Sequence, residues 1–127
     1  MTKIICIGNR FAYPDNFGIL VYEELIKQDI SDLEIIEGGV GGLSLIPYFE
    51  VDEKILIVDF AIGYEKNILN QNDIQKINIS EFNHSTAFLY LLKSIKKEYT
   101  IYVCTEEFDE SNILKYTNEI LTIARKL

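Results

Sequence analysis

The sequence predicts an α/β fold: a three-layer sandwich with a mostly parallel, twisted sheet flanked by helices, built as a single domain over residues 1–127. Three observations predict it. Apolar, partly β-branched runs alternate with stretches of helical periodicity along most of the chain, which is the pattern of βαβ crossovers. The run Ile55-Leu56-Ile57-Val58 is continuously apolar, as a parallel strand covered on both faces requires. Finally, 127 residues with 48% hydrophobic and 25% charged composition suit one compact core without staples.

The elements follow in order. Lys3 to Ile7 reads as a buried strand stopped by Gly8-Asn9. Gly18 to Lys27 reads as a helix, with Ile19, Leu20, Tyr22, Glu23 and Ile26 on a broad, mostly apolar stripe. Leu33 to Ile36 is a short strand ended by Gly38-Gly39, and Leu43 to Phe49 forms a short helix limited by Pro47. Ile55 to Asp59 is the central strand. The stretch Ile68 to Ile79 is ambiguous, with a polar edge strand expected near Asp73 to Ile77. From His84 to Lys97, residues Ala87, Phe88, Leu91, Leu92 and Ile95 recur at helical spacing. Thr100 to Cys104 is a further strand. Asn112 to Arg125 is the last helix, with Ile113, Leu114, Ile120, Leu121 and Ala124 inward and Ser111 as its N-cap.

Composition narrows the class of function. A net charge of −8 argues against a nucleic-acid surface and against attraction to anionic membranes. The basic cluster Lys93, Lys96 and Lys97 falls at a predicted helix end, where it complements the helix dipole. No apolar run approaches the roughly 18 residues of a membrane span. The first residues run straight into a strand without a secretory h-region, so a cytoplasmic protein is expected. Cys6 and Cys104 lie inside apolar runs and read as two buried, unpaired thiols.

In a parallel sheet, sites form beyond the carboxyl ends of the strands. That rule selects the loop Gly8 to Gly18, the stretch Glu37 to Gly42 and the segment after Val58. Asp15 in the first loop reads, taken alone, as a helix cap before it reads as a ligand. The glycines Gly38, Gly39, Gly41 and Gly42 serve equally well a turn needing positive φ or a backbone surface open to an extended peptide. Asp59 stands between apolar neighbours, a costly place for a carboxylate unless it is paired or metal-bound, so a functional role is favoured. His84 is the sole histidine and opens a predicted helix, where an imidazole is kept neutral and fit to bind metal. Two carboxylates and an imidazole form a minimal ligand set for a divalent ion such as zinc or nickel. Other schemes lack support. No Gly-x-Ser-x-Gly elbow surrounds Ser44 or Ser85, no phosphate-binding glycine fingerprint follows Gly8, and a two-aspartate dyad needs a shared proton that spacing does not reveal.

These residues together resemble the hydrogenase maturation endopeptidases, over Ile4 to about Glu107. The carrying features are Gly8-Asn9 through Pro14-Asp15 to Gly18, the stretch Glu37-Gly38-Gly39-Val40-Gly41-Gly42, the strand-end Asp59, His84 before an apolar helix, and Tyr102 to Glu106. Pro14 stands where the family carries its first acid, and Glu37 where it carries aspartate. The resemblance implies an endopeptidase that removes the C-terminal extension of a nickel-iron hydrogenase large-subunit precursor. Asp15, Asp59 and His84 would be both catalytic residues and ligands of nickel carried by the substrate, a site that zinc or cadmium can also occupy. Gly38, Gly39, Gly41 and Gly42 would receive the substrate chain. The large-subunit precursor is the expected partner and a monomer the expected state. The alternative is a non-catalytic, nickel-checking partner of the large subunit on the same fold.

Overall fold

The computed structural model describes residues 1–41, 43–61, 66–76 and 91–127. Five strands form one sheet: β1 (Thr2–Cys6), β2 (Leu33–Glu37), β3 (Ile55–Phe60), β4 (Ile68–Asn70) and β5 (Thr100–Cys104), in the order β2-β1-β3-β5-β4. All neighbours pair in parallel except β4, which runs antiparallel along β5 at the edge. The predicted architecture is therefore found.

Side-chain alternation along buried strands builds two cores. Ile4, Cys6, Leu56, Val58, Tyr102 and Cys104 face one side. There they meet Phe17, Val21 and Leu25 of α1 (Phe17–Lys27) and Ile113, Ile120, Leu121 and Ala124 of the C-terminal helix α4 (Ile113–Lys126). Ile5, Ile7, Ile57, Ile101 and Val103 face the other side. They are covered by Phe49 of α2 (Ile46–Glu50), Ile74 of α3 (Gln71–Gln75) and Leu91 and Leu92, which lie in the helical residues 91–94. Cys6 and Cys104 are free and buried, as expected. Among the described residues no helix is long and apolar enough to cross a membrane.

Several local expectations are corrected. On α1 Phe17, Val21 and Leu25, an i, i+4 series, point inward together with the predicted Ile19; the predicted Leu20 and Tyr22 are partly buried against the same core, and the predicted Ile26 is exposed. On α4 the row Ile113, Thr117, Ile120, Leu121 and Ala124 is buried, while Leu114 points to solvent. Ser111 is not the cap of α4. It lies in a 3₁₀ turn, Glu110–Asn112, and its amide donates to the Asp109 carboxylate at 3.1 Å. The edge strand sits at Ile68–Asn70 rather than near Asp73. Asp73 instead closes a capping box with Asn70: the Asp73 amide donates to Asn70 Oδ1 at 2.9 Å, and the Asn70 amide donates to Asp73 Oδ2 at 3.0 Å. Helical structure ends at Ser94, short of Lys97. The remainder of the predicted helix, residues 84–90, lies outside the described residues.

Candidate active site

The strand order turns back at β1, with β2 on one side and β3 on the other. At such a point the carboxyl-end loops part and leave a crevice. Asp59 stands at the β3 side of it. As an odd-numbered residue of β3 it shares the face of Ile55 and Ile57, opposite Val103 of β5 in register. Ala61, Leu69, Ile74, Leu92, Ile101 and Val103 share a small pocket with its side chain.

The residue is 5% exposed. Its Oδ1 accepts from the Phe60 amide at 2.8 Å. Burial in apolar surroundings raises its pKa to about 8, against the pull of that amide, and the negative charge of Asp15 pushes in the same direction as burial. Asp15 and Asp59 are thus brought within electrostatic reach of each other, one from the loop after β1 and one from the end of β3. At neutral pH Asp59 carries a proton while the site holds no cation. An arriving divalent ion would displace that proton.

The placement of Asp15 follows from the glycines beside it. A Cβ on Gly8 would lie 2.4 Å from the Asp15 carbonyl oxygen, and one on Gly18 would lie 2.1 Å from that of Ile7. Only glycine allows the loop to be pressed so closely onto the end of β1. The Asn9 amide donates to the Asp15 carbonyl at 3.1 Å, and the Ile7 amide to the Val58 carbonyl at 2.9 Å, fastening the loop to β3. Asn16, not Asp15, occupies the N-cap of α1, and no side-chain cap bond forms there. The capping account of Asp15 therefore does not describe its position.

The glycine-rich loop lies against the same edge. Gly39 and Gly41 have φ of +57° and +81°, so a turn accounts for them directly. The Gly8 amide donates to the Gly39 carbonyl at 2.8 Å, joining this loop to the one that carries Asp15. Arg10 adds a second tie, reaching Glu23 at 2.7 Å and Glu37 at 3.2 Å. Tyr13 anchors the first loop on its other flank: its hydroxyl donates to the Phe108 carbonyl at 2.6 Å, with the rings 5.1 Å apart. Sequence reasoning did not single out Arg10 or Tyr13. The signal for Arg10 was available as a lone cation in a loop followed by two acid-bearing elements, α1 and β2.

His84 and Gly42 lie outside the described residues. Among the described residues no three histidine, cysteine, aspartate or glutamate side chains gather as a metal cluster. The donor chemistry present, two carboxylates of which one is buried and made basic, fits a divalent cation.

Comparisons with known proteins bear on the whole arrangement. A family model described as hydrogenase maturation protease (HycI) matches residues 19–120, a span that contains Asp59 and His84 and begins just after Asp15. A search of the curated proteins gave no match. Among solved structures, the chain is similar to the hydrogenase maturating endopeptidase HybD from Escherichia coli, with TM-score 0.75, 18% identity, and coverage of 98% of this chain and 92% of that one. The HycI [NiFe] hydrogenase maturation protease from Thermococcus kodakarensis is similar at TM-score 0.67 and 18% identity, covering 98% and 90%. At such identities these likenesses speak for the fold.

Proposed function

Because the chain belongs to the hydrogenase maturation protease family, we propose that it cleaves the C-terminal extension from a nickel-iron hydrogenase large-subunit precursor, using nickel already held by that precursor as its docking signal. Asp15, Asp59 and His84 are the proposed ligands and catalytic residues. The observation that carries the reading is the pair at the switch point: a buried Asp59 with its pKa raised to about 8, repelled by Asp15.

The pair suits a cation that arrives with the substrate. With the site empty, Asp59 stays protonated and the cost of burying its charge is avoided. On docking, Asp59 gives up its proton to water, and the two carboxylates, which would otherwise repel each other, share one positive partner. Nickel in the precursor supplies Lewis-acid polarisation of the scissile carbonyl. Asp15 and Asp59 orient the water beside it, and the backbone of Gly38 to Gly42 receives the extended chain. No covalent intermediate with the protein is required.

The test is the intact mass of nickel-loaded precursor after incubation with the protein. Loss of a C-terminal peptide is the expected result. Unchanged mass together with a stable complex would replace the protease by the nickel-checking binding partner. The two acids alone also fit such a partner, so turnover is the deciding measurement.

A further inference from the structure

Phe108 is a single apolar residue in a run of acids. Glu106, Glu107, Asp109 and Glu110 around it are exposed, yet Phe108 itself is 5% exposed. Its ring meets three aromatic partners, with centroids 5.1 Å away at Tyr13, 5.1 Å at Phe17 and 6.1 Å at Phe60. Tyr13 lies two residues before Asp15 and Phe17 two residues after it. Phe60 follows Asp59 and gives its amide to the Asp59 carboxylate at 2.8 Å. One side chain from the loop after β5 thus touches both flanks of the first acid and the neighbour of the second. The segment between Tyr13 and Phe17 is short, and the Phe17 amide donates across it to the Pro14 carbonyl at 3.2 Å. Fixing the two rings therefore fixes the backbone of Asp15.

Closing a hydrophobic core accounts for Phe17 and Phe60, which are buried. It does not account for Tyr13, which is 56% exposed and still donates its hydroxyl to the Phe108 carbonyl at 2.6 Å. A half-exposed ring gains little from burial, whereas a directed bond to backbone specifies geometry. Two ionised carboxylates repel each other, so the frame around them must impose their spacing. We propose that Phe108, clamped by Tyr13, is a positioning residue that holds Asp15 and Asp59 at the spacing a shared divalent cation needs, before that cation arrives. The inference rests on the proposed role of the two acids as cation ligands and deepens it. Side chains that orient ligands set metal affinity without touching the metal.

The experiment measures nickel affinity by competition with a chromophoric chelator for wild type, Tyr13→Phe, Tyr13→Ala, Phe108→Leu and Leu25→Ala. Melting temperature, and kcat and KM on nickel-loaded precursor, are recorded for each. Leu25 is buried near the far end of α1 and controls for lost stability alone. The Kd for nickel should rise about tenfold in Tyr13→Ala and Phe108→Leu, and less in Tyr13→Phe, with kcat falling in the same order. Tyr13→Phe should keep the wild-type melting temperature, and Leu25→Ala should lower it with Kd unchanged. If Phe108→Leu does not fold, Tyr13→Ala decides, because its side chain is half exposed. A wild-type Kd in folded Tyr13→Ala would overturn the brace. An equal rise of Kd in Leu25→Ala would overturn it too, by tracing the effect to lost stability. A wild type that binds no nickel on its own would overturn a spacing set in advance and leave the protease reading standing. Failure of the wild type to process the precursor, with the Kd shifts present, would overturn the protease reading and leave the brace standing.

Discussion

The two ends of the sheet each bury one ionisable residue, and they treat it in opposite ways. Lys3, 6% exposed at the start of β1, is bonded to Glu34 of β2 and lies 3.5 Å from Glu53, which also holds the N-terminal amine at 3.1 Å. The hydrogen bond to Glu34 raises its pKa, so it stays charged. Asp59, equally buried at the end of β3, receives one amide and faces a like charge from Asp15. Among the described residues no cation pairs with it. Burial is tolerated in both places, but at the amino edge the compensation is complete within the chain, whereas at the carboxyl edge it comes from a proton. A buried charge whose partners are built in serves the fold. One that a proton must neutralise is suited to accept a cation from outside.

The largest effect should come from removing the unfinished end. Asp59→Asn keeps the shape and the acceptor for the Phe60 amide, but it cannot become a carboxylate ligand. Processing of nickel-loaded precursor should fall by about 100-fold or more, beyond the usual loss from removing a residue that merely supports a ligand. His84→Ala should do the same. The folded protein should be no less stable at pH 7 in Asp59→Asn, because it replaces a protonated acid by an amide. Normal processing by either variant would remove that residue from the site.

Most of the sheet was legible because buried parallel strands are written as apolar runs, and Ile55 to Val58 could be little else. The switch-point rule alone brought Asp15 and Asp59 to one edge. Other features were hidden for physical reasons. The edge strand β4 has only three residues and buries just Leu69 on its central position, so it leaves almost no periodic signal. The capping box Asn70-x-x-Asp73 was present in the sequence, but a polar segment of alternating character obscured it. The inward rows of α1 and α4 depend on where each helix starts against the sheet, and one residue of rotation exposes Ile26 or Leu114. The contribution of His84 still rests on the family resemblance.

The next effect in size is on stability against pH. Folded Asp59 keeps its proton up to about pH 8, whereas in the unfolded chain it releases the proton near the ordinary aspartate value of 3.8. Folding therefore takes up a proton between those values, and stability falls as pH rises through that window. Between pH 5 and pH 7 the loss attributable to this group is at most about 3 kcal/mol, from 1.4 kcal/mol per pH unit per proton. Other acids titrate too, so the informative quantity is the difference between wild type and Asp59→Asn in melts at pH 5, 6, 7 and 8. Wild type should lose stability relative to the variant as pH rises. Parallel curves would mean that Asp59 ionises freely in the folded protein, and the contrast with Lys3 would disappear.

The smallest effect tests the finished end. Lys3→Met keeps the aliphatic stem against the core but removes the ammonium that Glu34 and Glu53 share. The side chains of those acids are 43% and 31% exposed, so water can rehydrate them once the lysine is gone. A fully buried pair broken in this way costs several kcal/mol, but partly solvated partners reduce that sharply. A fall in melting temperature of about 5 °C is expected, in line with a change near 1 kcal/mol in a domain of this size. Processing should keep its KM and kcat, because Lys3 pairs with Ile55, at the opposite end of β3 from Asp59. If processing instead dropped while the melting temperature held, the two ends of the sheet would be coupled, and the division between a structural edge and a reactive edge would fail.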